Sequence, residues 1–250
     1  MSGDVGNYLS YGSIFSDSFA VEFDTRQDSQ FSDPAAPHLG IDLAGSLNSS
    51  VTSSVISFAN GITWWVWIDY VIANTTLLVR INNNSSRPAN ATIQGSVNLA
   101  SLGMSSSVYM GFGAASSTYS EVVTVSNWQI LVNHAKQYTL LDDSTAALTT
   151  YGSTSVLSSS GAVELLDYKS AVGNIFPTSP VTFYQSGQLQ NISVYFTFSV
   201  TCPSGSGCAD GFSFIVRFFL FFFFFLFFII IIYYYFCSSD STSFFQSMHF

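Results

Sequence analysis

The chain has 250 residues and a formal net charge of −9 at neutral pH, with charged side chains at only 8% of its positions. That length fits one large β domain or two small ones. The acidic balance argues against a nucleic-acid partner, which needs basic patches that this chain lacks. Lys and Glu are scarce, whereas Ser, Thr, Val, Phe and Tyr abound in short alternating runs between Gly/Ser/Asn/Pro clusters. This pattern predicts an all-β sandwich of antiparallel sheets.

In chain order, residues 6–24 read as two strands joined by a Ser/Asp turn. On the second strand Val21 and Phe23 alternate with Glu22 and Asp24, which places both acids on one face. A Gln/Ser/Asp/Pro/Ala loop follows, and residues 38–42 (HLGID) return as a strand. Four carboxylates (Glu22, Asp24, Asp28, Asp33) and the His38 imidazole thus fall within 17 residues. Their convergence at a strand end suggests a metal site. Oxygen-only ligands would suit calcium, and a histidine with carboxylates suits a transition metal such as manganese. The plain alternative is a solvated acidic loop.

Residues 53–58 alternate, and a turn at Asn60-Gly61 leads into the strongest strand signal, residues 63–70 (TWWVWIDY). Trp64, Val66, Ile68 and Tyr70 share one face, and a core role is expected for most of these large rings. A hairpin partner is predicted over 76–81. Residues 108–114 and 122–132 read as paired core strands. A second series begins near Tyr138, with strands over 162–166, 180–184, 192–200 and 212–216. No internal repeat links the two series.

Acceptor sequons occur at Asn48, Asn74, Asn83, Asn84, Asn90 and Asn191, and their density favours a secreted, glycosylated protein. Cys202 and Cys208 bracket a Pro-Ser-Gly-Ser-Gly loop and could close a small disulfide in an oxidising compartment. An extracellular or cell-surface location is therefore expected, although no apolar signal segment is visible at the N-terminus. Residues 218–236 (FFLFFFFFLFFIIIIYYYF) meet the length criterion for a membrane span. Their homopolymer runs, without Ala, Val, Gly or Ser, also fit a translated intron. A membrane partner is implied only if that run is a true span.

Glu22 and Asp24 raise the question of catalysis, since some jelly-roll glucanases carry Glu-x-Asp-x-(x)-Glu on such a strand. Here the last acid's position holds Arg26 or Gln27, so the proton donor is missing. No Ser/His/Asp or Cys/His arrangement stands out either. A non-enzymatic protein is expected, with a glycoside hydrolase as the lesser alternative.

VEFDT followed by DP, H and GID resembles the metal-binding signature of the legume (L-type) lectins. Residues 67–70 (WIDY), 108–114 (VYMGFGA), 126–130 (SNWQI), 209–214 (ADGFSF) and 6–9 (GNYL) resemble further segments of that family. The resemblance covers the chain except its tail and implies a concanavalin A-like jelly roll. The order is permuted, because the ADG segment comes last here. Residues 1–132 resemble the second half of a lectin sandwich and 138–216 the first half. Residues 133–137 would be the connection, and 217–250 an anomalous tail. The expectation is a single circularly permuted sandwich, with a cut from a tandem array as the alternative.

By this resemblance, Glu22, Asp24, Asp33 and His38 would hold Mn2+. Asp24 and Asp33, with Asp28 and the Arg26 carbonyl, would hold Ca2+. Both ions would be structural, shaping the sugar site. Asp210 would accept from sugar hydroxyls after a cis Ala209–Asp210 peptide, and the Gly6 or Asn7 amide would donate. Two positions depart from the family pattern. Asp28 replaces an Asn, and ionised it cannot donate; Arg26 replaces a stacking aromatic. Carbohydrate binding that is weak or altered in specificity is the expectation, with glycans or glycoproteins as partners and a homodimer left open. The alternative is a degenerate or truncated structural lectin module of a receptor-like protein. Sugar choice would depend on the loop around residues 116–119.

Overall fold

The computed structural model describes residues 9–217, except 11–16, 54–56, 104–106, 140–147, 158–161, 168, 186–187 and 204–207; of 135–139 and 184–185 it describes the backbone alone. The first strands are β1 (Ser18–Asp24), β2 (His38–Leu43), β3 (Val51–Ser53), β4 (Trp64–Val71), β5 (Thr76–Asn82) and β6 (Ile93–Ser96). Next come β7 (Ser107–Ala115), β8 (Val122–Val132), β9 (Ala135–Thr139), β10 (Leu148–Gly152), β11 (Ser155–Leu157) and β12 (Ala162–Leu166). The last are β13 (Val172–Pro177), β14 (Val181–Thr182), β15 (Tyr184–Gln185), β16 (Gln188–Leu189), β17 (Ile192–Thr201) and β18 (Phe212–Arg217).

Two antiparallel sheets carry nearly all of them. One runs β10-β13-β7-β18-β1-β2-β3, with β14 beside β7; the other runs β11-β12-β8-β17-β4-β5-β6, with β9 beside β8. β15 and β16 form a separate two-stranded pair. The late strands lie inside the early ones: β18 sits between β7 and β1, and β17 between β8 and β4. The all-β sandwich expected from the sequence is the fold.

Alternation decides which residues fill the space between the sheets. On β4, Val66, Ile68 and Tyr70 are buried while their neighbours are half-exposed. The middle of the core is aromatic. Phe23 stacks on Phe212 at 4.6 Å between centroids and meets Phe198 edge-on at 5.2 Å. Phe112 meets Trp128 at 5.0 Å and Phe196 at 4.8 Å, both T-shaped. Such offset and edge-on contacts suit the ring quadrupole.

Several local expectations change. β7 and β8 are not paired but lie in opposite sheets. Their apolar faces meet across the core through Phe112 and Trp128, so the shared pattern reflects a common interior rather than a common ladder. Within β8 the alternation shifts phase at Asn127, whose φ is +53°. Opposite it, the register with β17 slips between Tyr195 and Thr197. This extra residue is a β-bulge that lets both Val125 and Trp128 face inward.

Trp64, Trp65 and Trp67 are only half-buried, unlike the fully buried Trp128. Trp65 and Trp67 belong to the outer face, where Trp67 packs on Tyr195 at 5.8 Å. Of the strand expected over 53–58, Ser53 ends β3 and residues 54–56 lie outside the described residues, while Phe58 is buried in the core. The expected connection at 133–137 is a tight turn, with Asn133 and His134 both at positive φ, that returns as β9 against β8. Arg217 does not open the tail; it ends β18 with its guanidinium 4.9 Å from the Phe176 ring centre. Among the described residues no helix is long and apolar enough to cross a membrane, and the run at 218–236 lies outside them.

Candidate metal and carbohydrate site

The site grows out of β1 and β2. Their antiparallel register sets Asp24 opposite His38 and Glu22 opposite Gly40. Val21 and Phe23 point into the core, which turns Glu22 and Asp24 to the other face, yet both are buried there. His38 Nε2 lies 3.3 Å from Glu22 Oε1, 3.9 Å from Asp24 Oδ2 and 3.8 Å from Asp33 Oδ1. One candidate ligand atom each from Glu22, Asp24 and His38 fits within 4.8 Å.

Gly40 makes room for this cluster. A Cβ there would fall 2.0 Å from Glu22 Oε1 and 2.1 Å from Ser49 Oγ. Ser49 Oγ lies 2.5 Å from Glu22 Oε1 and 2.6 Å from Asp42 Oδ1, which holds the Glu22 carboxylate in place. The loop after β1 is shaped by its own acids. Asp24 Oδ1 accepts from the Arg26 amide at 2.6 Å, and Asp33 Oδ2 accepts from the Asp28 amide at 2.8 Å.

The electrostatics fit a cation. Burial, reinforced by the Glu22 charge, raises Asp24 well above the ordinary carboxylate value. Burial also raises Asp28 and lowers His38. Among the described residues neither ring nitrogen of His38 has a hydrogen-bond partner, although the side chain is fully buried. A neutral imidazole aimed at three carboxylates is a donor set that suits a transition metal, and the oxygen-rich remainder suits calcium. The residues present therefore fit the two ions that the sequence resemblance implies.

A second cluster adjoins the first. Asp210, 1% exposed, lies in the segment leading into β18. Its Oδ1 accepts from Arg26 Nη1 at 3.1 Å and from Ser117 Oγ at 3.3 Å, and its Oδ2 has no hydrogen-bond partner among the described residues. Gly211 follows at φ +98°, and a Cβ there would lie 2.3 Å from the Phe23 carbonyl oxygen. Only glycine lets this segment lie so close to the strand that carries Glu22 and Asp24. Glu121, fully buried, receives the Gly211 amide at 2.8 Å.

The expected cis peptide at Ala209–Asp210 is not present; among the described residues the cis bond is Ala36–Pro37. A trans bond is the ordinary state of a non-proline peptide. The Ala209 carbonyl oxygen lies 2.7 Å from Thr25 Oγ1, and Asp210 Oδ1 accepts from Arg26. Gly6 and Asn7 lie outside the described residues. Glu121 and Ser49 escape a reading of the sequence, whereas Ser117 lies in the 116–119 loop expected to influence sugar choice. The one available signal is Glu121 itself, an acid set directly before an apolar strand run in a chain with few charges.

An antiparallel two-sheet sandwich with an acidic, histidine-bearing cluster at one strand end defines a lectin-type β domain. The family model for the legume lectin domain matches residues 8–143, more than half of the chain, and the chain belongs to that family. It is also similar to a probable L-type lectin-domain containing receptor kinase S.7 of Arabidopsis thaliana, 32% identical over 120 residues. That alignment takes in 44% of this chain and 17% of the relative, so the chain corresponds to only a small part of that protein. Lectin domains of this family are generally metal-binding and generally non-catalytic, and the family implies carbohydrate binding.

Proposed function

We propose that this chain is a calcium- and manganese-dependent carbohydrate-binding module without catalytic activity. The observation that carries the reading is the buried His38 Nε2, without a hydrogen bond among the described residues, within 3.9 Å of carboxylate oxygens of Glu22, Asp24 and Asp33. Manganese would be held by Glu22, Asp24, Asp33 and His38. Calcium would take Asp24, Asp28, Asp33 and the Arg26 carbonyl. The cations would neutralise these buried acids and so fix the loop beside Asp210. Asp210 would accept from sugar hydroxyls, with the Gly6 or Asn7 amide donating. Calorimetric titration with glycans in both cations should give heat that vanishes with excess chelator. Folded, metal-loaded protein without any glycan signal would overturn the reading.

The Arg26–Asp210 contact favours one other reading, a structural lectin module whose sugar site is closed. All six sequon asparagines (Asn48, Asn74, Asn83, Asn84, Asn90, Asn191) are exposed, and Cys202 and Cys208 are bonded with their sulfurs 2.10 Å apart. These features support a glycosylated, extracellular protein whose partners are glycans or glycoproteins; a homodimer is compatible with it.

The interleaving of β17 and β18 among early strands supports a permuted single sandwich rather than halves of two domains. One copy then carries both complete sheets. Its melting temperature should not depend on protein concentration, and a value that falls on dilution would place the missing half in another copy.

A further inference from the structure

The Arg26 guanidinium lies against Asp210, the carboxylate that the carbohydrate reading makes the acceptor for sugar hydroxyls. Its Nη1 donates to Asp210 Oδ1 at 3.1 Å and to Ser117 Oγ at 3.0 Å, and Ser117 donates to the same carboxylate oxygen. Its Nε lies 3.7 Å from Asp28 Oδ1. One cation thus bridges two acids on different segments of the chain. The Asp210 side chain is 1% exposed and the Arg26 side chain 34%, so the arginine covers the carboxylate and faces solvent itself.

A buried carboxylate is stable only with a counter-charge or several donors. Among the described residues, the donor that reaches Asp210 Oδ1 apart from Ser117 is this guanidinium, and Oδ2 has none. A neutral hydroxyl offers a weaker bond than a charged N–H. Displacing Arg26 for a neutral sugar would therefore leave Asp210 less well compensated than before. The backbone at Arg26 is tied by its amide to Asp24 Oδ1, so opening would fall to the long, half-exposed side chain.

We infer that Arg26 is a built-in occupant of the carbohydrate site, which competes with neutral sugars for Asp210 and sets their affinity. The inference rests on the carbohydrate-binding reading above and adds to it the element that holds the site closed. It makes Arg26 a specificity-determining residue rather than a tolerated substitution.

The test titrates wild type, Arg26→Gln and Ser117→Ala, each loaded with calcium and manganese, with methyl glucoside, mannoside and galactoside. Arg26→Gln should bind at least one neutral hexoside at least about tenfold more tightly than wild type, the factor that one charge-assisted hydrogen bond represents. The gain should disappear in Arg26→Gln/Asp210→Asn. Ser117→Ala loosens the seat of the guanidinium without removing a charge, and should give a smaller gain in the same direction. It keeps the test open if Arg26→Gln misfolds. Equal, chelator-sensitive binding by all three proteins would overturn the inference and leave the carbohydrate reading intact. No binding by any folded, metal-loaded protein would overturn both.

Discussion

Replacing Phe23 with alanine is expected to cost about 3–5 kcal/mol of folding stability, the range for removing a fully buried phenylalanine. Phe23 is completely buried and touches aromatic rings of both sheets. It stacks on Phe212 and meets Phe58 at 6.1 Å, Phe196 at 5.9 Å and Phe198 at 5.2 Å. No neighbouring ring can move into the vacated space without giving up its own contacts, so a cavity would remain. The effect should reach the proposed metal site, because Phe23 lies between Glu22 and Asp24 and anchors their strand from the core side. Urea unfolding in saturating manganese and in excess chelator would separate the two effects. The variant should lose stability in both conditions and bind manganese more weakly. A loss under 1 kcal/mol, or unchanged manganese affinity, would show that the strand holds its acids without this ring.

Much of this arrangement is legible in the residues. The alternation Val21-Glu22-Phe23-Asp24 dictates which side chains enter the core, and the returning HLGID strand brings His38 to the acids. The two-sheet architecture is equally readable from the spacing of apolar runs and turn clusters. Pairing is not, because a strand buried on one face looks the same in either sheet. Residues 108–114 and 122–132 illustrate this: both are apolar, yet they face each other across the core. The bulge at Asn127 is also hidden, since Asn gives only a weak bias towards positive φ. Arg26 is visible as a departure from a family pattern, but its contact with Asp210 is set by two segments 184 residues apart. Long-range pairings of this kind leave no local mark. The same holds for Glu121, whose partners Thr25 and Gly211 come from opposite ends of the sequence.

Glu121→Gln should leave stability near the wild-type level at pH 5 and raise it by up to about 3 kcal/mol at pH 8. The argument starts from proton counting. Thr25 Oγ1 lies 2.8 Å from Glu121 Oε2 and 2.7 Å from the Ala209 carbonyl oxygen. It has one proton, and a carbonyl can only accept. When that proton serves Ala209, a protonated Glu121 supplies the one between itself and Thr25; an ionised Glu121 can only accept from Thr25, at the expense of Ala209. The Gly211 amide then donates to Oε1, and a neutral carboxylic acid completes the network.

Burial pushes Glu121 from its ordinary value of 4.5 up to about 7; the bonds that Thr25 and Gly211 donate to the ionised form oppose the rise, and the nearby Asp210 charge, itself paired with Arg26, adds to it. Because the folded value lies above the unfolded one, folding takes up a proton between these limits. The stabilisation is complete below about pH 4.5 and is lost as pH rises through about 7. Glutamine reproduces the neutral pattern, with its amide donating to Thr25 and its carbonyl accepting from Gly211, and it does not titrate. Urea unfolding of both proteins at fixed metal concentration from pH 5 to 9 gives the difference directly, since the other titrating groups are common to both. A variant less stable than wild type at pH 8 would mean that ionised Glu121 is the form that holds Thr25 to the Asp210 segment.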